Sequence, residues 1–120
     1  MATRMREPTF WILTALAPQP RHGYGVIQQT TQLSGGTVTL QAGTLYAALD
    51  RLTAEGLIEI DRDEIVDGRT RRYYRLTSDG AEALGAETER LRRSLEAATS
   101  QLATRRRFGL GLADAQRVAW

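Results

Sequence analysis

The residues of this chain best suited to chemistry are its arginines: all 16 basic residues are arginine, and lysine is absent. Each is a planar, permanently charged fork that meets a phosphate or carboxylate with two parallel hydrogen bonds. Arg69, Arg71 and Arg72 crowd one short run together with Arg75. A second group of candidates lies in Gly43-Thr44-Leu45-Tyr46-Ala47-Ala48-Leu49-Asp50-Arg51-Leu52, where Thr44, Tyr46 and Arg51 carry hydrogen-bonding side chains. Tyr24, two residues after the sole histidine, His22, adds a phenol able to donate to a phosphate oxygen. These side-chain types can recognise anions and base edges. With no cysteine, the chain has no thiol nucleophile, disulfide scaffold or thiolate metal site. A lone histidine is a poor nucleus for a metal site, and no Gly-rich phosphate loop ends in lysine. No nucleophile–histidine–carboxylate set stands out either. The expectation is a protein that is not an enzyme and uses no cofactor and no metal.

The positive charge is local. Across 120 residues the net charge is only +2. Residues 57–67 carry −4, from Glu59, Asp61, Asp63, Glu64 and Asp67 against Arg62, and residues 68–75 then carry +4. The length suits a single domain with a modest core. An apolar share of 42% is too high for a disordered chain. No run of apolar residues is long enough to span a membrane, and the N-terminal residues lack a signal-peptide layout, so a cytoplasmic location is expected.

Glycine and proline punctuate the elements that must position these side chains. A first helix begins near Glu7-Pro8, is dense in Phe10, Ile12, Leu13, Leu16 and Ala17, and ends at Pro18 and Pro20. A second runs from about His22 to Leu33, with Ile27 and Leu33 inward, and stops at Ser34-Gly35-Gly36. A third runs from about Gly43 to Ala54, with Leu45, Leu49 and Leu52 forming one buried stripe. Its other side presents Gly43, Ala47, Asp50 and Arg51, flanked by Thr44 and Tyr46. Leu57–Arg62 and Arg71–Leu76 read as strands joined at the turn signal Asp67-Gly68. Ile58 and Ile60 share one face; Tyr74 and Leu76 face inward, and Arg71, Tyr73 and Arg75 face outward. Thr77 or Ser78 caps a fourth helix running to about Arg107, along which Leu84, Leu91, Leu95, Ala98 and Leu102 form a coiled-coil-like stripe.

Three helices, a charged hairpin and a long helix make a mostly α (α+β) fold, a winged helix-turn-helix with a two-stranded β wing and a C-terminal dimerisation helix. The expected division is 1–77 for DNA binding, 78–107 for the dimerisation helix and 108–120 for a tail with no assigned structure. Several runs carry a closer likeness: His22-Gly23-Tyr24-Gly25, Gly43-Thr44-Leu45-Tyr46, Glu55-Gly56-Leu57-Ile58, and Gly68 through Thr77 followed by Asp79-Gly80. In order and spacing, over roughly residues 8–82, they resemble the PadR family of bacterial transcriptional regulators, in its smaller subfamily with a single C-terminal helix. The resemblance implies sequence-specific DNA binding by a homodimer, usually a repressor released by a small molecule. It also implies DNA contact by Thr44 and Tyr46, which match motif positions, and phosphate contact by Tyr24.

Each candidate has a second reading. Tyr46 contacts DNA or packs against the first helix; Tyr24 contacts a phosphate or wedges between helices. Arg51 reads a guanine or pairs with Glu55 one turn on. Arg69, Arg71 and Arg72 clamp the DNA backbone or find cross-strand partners among Asp61, Asp63, Glu64 and Asp67. His22 caps the second helix or lies near phosphate. Arg105-Arg106-Arg107 closes the last helix or adds a distant DNA contact. The stripe of Leu84, Leu91, Leu95 and Leu102 must be buried, which points to a homodimer holding two recognition helices about 34 Å apart on an inverted-repeat operator in double-stranded DNA. Phe10 and Trp11 are ordinary core or the wall of a ligand pocket for a small aromatic effector. The alternative to the whole reading is a winged-helix module that binds a ligand or a protein and has no strong DNA affinity.

Overall fold

Proline in the first turn and a dense apolar run build α1 (Glu7–Leu16), whose Ile12, Leu13, Ala15 and Leu16 are buried. This is the first element of a computed structural model that describes residues 4–109. The order that follows is β1 (Arg21–His22), α2 (Gly23–Leu33), α3 (Ala42–Ala54), β2 (Ile58–Val66), β3 (Arg69–Leu76) and α4 (Ser78–Arg107). The strands form one antiparallel sheet in the order β1-β3-β2. This is the winged helix-turn-helix arrangement expected from the sequence. Two compact units result, one ending at Glu87 and the other beginning at Thr88, within α4. Residues 110–120, most of the expected tail, lie outside the described residues.

The core of the first unit is the leucine stripe of α3. Leu45, Leu49 and Leu52 are fully buried against Ile12, Leu13 and Leu16 of α1, Val26 of α2 and Ile58 of β2. α2 departs from expectation. Its inward positions are Gly23, Val26 and Thr30, Ile27 is only partly buried, and Leu33 is exposed because the helix outruns the core in its last turn. Ala48 is buried as well, whereas Gly43 and Ala47 face solvent as expected.

The hairpin is longer than the alternation implies. Asp67 and Gly68 both take positive φ (51° and 77°), the two-residue turn whose twist suits a hairpin, and Val66 pairs directly with Arg69. A bulge between Ile60 and Arg62 shifts the register, putting Ile60 opposite Tyr74 and Arg62 opposite Tyr73. Ile58 and Ile60 do share a face, yet only Ile58 is buried; Ile60 is exposed although Tyr74, its partner across the hairpin, belongs to the core.

One junction ties the hairpin to α3 and α4. Gly56, at positive φ, closes α3, with the Leu57 amide donating to the Leu52 carbonyl at 3.0 Å. The Thr77 hydroxyl donates to the Gly56 carbonyl at 2.7 Å and accepts from the Gly80 amide at 3.0 Å, which caps α4. Gly80 then lies so near the turn that a Cβ there would sit 2.0 Å from the Leu57 carbonyl oxygen. Replacing Gly80→Ala should therefore cost about 2–4 kcal/mol in chemical denaturation, because backbone must move. Gly85→Ala, with open space at its Cβ, should be neutral or stabilise by up to about 1 kcal/mol. Equal stabilities for the two variants would show that the junction yields freely.

Candidate nucleic-acid interface

The start of α2, the exposed side of α3 and the wing enclose a solvent-open cleft of about 700 Å³. It is lined by His22, Gly23, Tyr24, Tyr46, Arg69, Arg71 and Arg72, among others. Five of the seven residues expected to contact DNA therefore meet in one place. Tyr24 is 63% exposed and Tyr46 is 51% exposed. Tyr46 packs against Gly23: a Cβ at position 23 would lie 2.7 Å from the Tyr46 hydroxyl oxygen. Glycine is thus what lets α2 and α3 approach closely enough to set the Tyr46 ring.

His22 is the N-cap of α2. Its Nδ1 accepts a hydrogen bond from the Gly25 amide at 3.2 Å, and its ring stands edge-on to Tyr73, centroids 5.3 Å apart. The Arg62 guanidinium covers the Tyr73 ring at 4.0 Å. An accepting Nδ1 requires an unprotonated nitrogen. Partial burial holds the His22 pKa below its ordinary value, the nearby Arg71 charge adds to that effect, and Glu64 opposes it.

The wing sorts its charges. Asp63 on β2 holds Arg72 with two bonds of 3.0 and 3.2 Å. Glu59 and Asp61 hold Arg75 at 2.7 and 3.4 Å. Arg62 pairs with Asp61 at 2.7 Å and Glu64 at 2.9 Å. Hydrogen bonding by Arg72 and Arg62 keeps the Asp63 and Glu64 carboxyls below their usual pKa range. Arg69 and Arg71 make no ion pair among the described residues. Both readings of the arginine run thus apply, each to different residues: Arg72 has a partner across the hairpin, while Arg69 and Arg71 are exposed at the cleft.

Thr44 and Arg51 sit on the opposite flank of α3. Arg51 donates to Glu55 at 2.9 Å and to the Thr9 hydroxyl at 2.8 Å, so the intrahelical pair expected as its second reading does form, with a tie to α1 added. Thr44 is exposed in the first turn and lines a smaller cleft of about 390 Å³ with Arg6 and Arg51. Sequence reasoning missed Arg6, because nothing in the spacing links it to α3.

The remaining candidates are dispersed. Leu84 packs against the core of the first unit. In the second unit Leu91, Leu95 and Leu102 are 40%, 69% and 56% exposed. Phe10 and Trp11 are half-buried and meet edge to face, centroids 5.3 Å apart. Among the described residues no group of histidine, aspartate and glutamate could hold a metal ion, and no helix is long and apolar enough to cross a membrane.

Comparison with known proteins places these features. A family model described as the transcriptional regulator PadR-like family matches residues 12–86. A transcriptional regulator of Mycobacterium tuberculosis is 43% identical over 67 residues, 56% of this chain and 58% of that protein. The chain spans less than two thirds of the length of the curated relatives it matches. A PadR family transcription regulator from Clostridium difficile shares the fold, with a TM-score of 0.66, 24% identity, and 81% and 99% of the two chains covered. Bacillus subtilis PadR, solved in complex with operator DNA, gives a TM-score of 0.61 at 26% identity over 68% of this chain and 46% of that one.

The histidine cap has a pH signature. Because folding lowers the His22 pKa, its contribution to stability is complete above the unfolded value of 6.5 and is lost as pH falls through the folded value. Unfolding free energy should therefore drop more steeply as pH falls below the unfolded value of 6.5 in the native chain than in His22→Asn, whose amide oxygen caps without titrating. Parallel curves would mean that the Gly25 bond does not depend on the state of the ring.

Proposed function

This chain belongs to the PadR-like family of transcriptional regulators, and we propose that it acts there as a homodimeric, sequence-specific DNA-binding repressor released by a small molecule. The observation that carries DNA binding is the convergence of Tyr24, Tyr46, Arg69 and Arg71 on one cleft beside the solvent face of α3. The DNA complex of the Bacillus subtilis protein supports the same reading. Gly43, Thr44 and Ala47 enter the major groove, where small side chains allow close approach and the Thr44 hydroxyl reaches a base edge or phosphate. Tyr24 and Arg71 take phosphates, and Arg69 at the hairpin tip clamps the backbone beyond the groove or enters the neighbouring minor groove. Arg72 joins them by exchanging Asp63 for a phosphate, a swap of one anion for another that adds little net energy. Arg51, steered by Thr9 and Glu55, is the candidate for a guanine.

Residues 1–77 are the DNA-binding part of this reading and 78–107 the dimerisation helix. The exposed Leu91, Leu95 and Leu102 support a helix that seeks an apolar partner, and a second copy satisfies it with twofold symmetry. Two recognition helices then read the halves of an inverted repeat. The edge-to-face pair of Phe10 and Trp11 supports a flat aromatic effector as the releasing ligand.

Titration of a DNA fragment from the gene's own upstream region against salt tests the reading. The native chain should lose affinity steeply with salt, and Arg69→Ala with Arg71→Ala should flatten the log–log slope by about one unit for each phosphate no longer neutralised. Arg72→Ala should change it less. An unchanged slope assigns all three side chains to the protein's own surface. No binding even at low salt leaves a ligand- or protein-binding module. For the dimer, Leu91→Asp with Leu95→Asp should sediment as a monomer where the native chain is a dimer, and a persistent dimer would place the interface elsewhere.

A further inference from the structure

We propose that the cleft between the start of α1 and α3 is a second phosphate subsite, in which Arg6 grips the DNA strand opposite the one held by the wing. The inference rests on the DNA-binding reading above and adds a residue to it. A helix lying in the major groove, about 12 Å wide, has a phosphate backbone along each side. The wing cleft supplies donors on one flank of α3 only. On the other flank the smaller cleft gathers Arg6, Thr9, Thr44, Ala47 and Arg51.

Charge in this cleft is unevenly committed. Arg51 is held by Glu55 and Thr9, which fixes its direction and cancels most of its charge. Arg6 is exposed and makes no ion pair among the described residues. Nor is its side chain needed to start α1: it makes no capping hydrogen bond, and the first turn is held by the Arg6 backbone carbonyl, which accepts from the Phe10 amide at 3.0 Å. Arg6 is therefore the uncommitted cation of the cleft, which the exposed Thr44 at the first turn of α3 also lines. Ala47, a small side chain, lines the same cleft, whose volume is about 390 Å³. A guanidinium and a hydroxyl converging on one oxygen-rich group is a backbone contact, which positions the helix without reading sequence.

The test uses the full chain, the upstream fragment and an unrelated DNA of the same length. Arg6→Ala, and Arg6→Gln as a longer neutral control, should keep the native melting temperature. Each should weaken binding to both DNAs alike, about tenfold at low salt. Each should also lower the log–log salt slope by about one. Thr44→Val should weaken binding further, and by less in the Arg6→Ala background than in the native chain, because the two side chains share a target. If the native chain binds and Arg69→Ala lowers the slope while Arg6→Ala and Arg6→Gln do not, the subsite is overturned and the wing reading stands. A loss confined to the upstream fragment at constant slope makes Arg6 a base reader and also overturns the subsite. If the native chain binds neither DNA at low salt, the subsite and the functional reading fall together.

Discussion

The rotation of α3 about its own axis is the constraint from which the interface follows. Leu45, Leu49 and Leu52 have no exposed surface, and burying each contributes about 1.5–3 kcal/mol. A turn of the helix that brought Thr44 or Ala47 inward would forfeit several such terms at once and bury a hydroxyl. Gly43, Thr44, Tyr46 and Ala47 are therefore held on the solvent side by the packing of residues that never touch a ligand. Tyr46 is fixed further by lying over Gly23, so the α2–α3 contact sets both the helix angle and the position of the phenol.

The wing adds a different kind of specificity, made from cancellation. A hairpin with four arginines on one strand would repel itself, and the acids of β2 remove that repulsion where it would be densest. Surface pairs of this kind contribute little stability, about 0–1 kcal/mol each. Their consequence is spatial. Pairing Arg72 with Asp63 and Arg75 with Glu59 and Asp61 leaves positive potential concentrated at Arg69 and Arg71, toward the tip and the α2 start. The bulge after Ile60 is part of the same device. It gives Asp61 a position from which it reaches both Arg62 and Arg75, and it sets Arg62 over Tyr73.

What could be read from the residue order was whatever depends on local periodicity or local turn chemistry. The leucine stripe of α3, the Asp67-Gly68 turn and the Thr77 cap are of that kind, since each is decided within a few residues. β1 is not: Arg21 and His22 have no alternation to show, and they become a strand only by pairing with Tyr74 and Tyr73. Leu33 misled because apolarity signals burial only where a core reaches, and α2 extends past it. Arg51 shows both limits together. Its pair with Glu55 follows from helix spacing, whereas its bond to Thr9 depends on how α1 crosses α3. Arg6 joins Thr44 through the same crossing, which no spacing rule encodes.

The second unit is governed by the converse problem, a helix with more solvent than core. Its polar side chains are laced together, Arg92 and Arg93 to Glu89 and Arg92 to Glu96, and pairs of this spacing add only about 0.2–0.5 kcal/mol each. Such sums do not hold a helix of this length against fraying, because isolated helices in water are marginal even with favourable residues. Leu91, Leu95 and Leu102 meanwhile face water, an arrangement that stabilises nothing by itself. The same three side chains would contribute several kcal/mol if covered by an apolar surface of matching spacing. A copy of this helix is one surface of that kind.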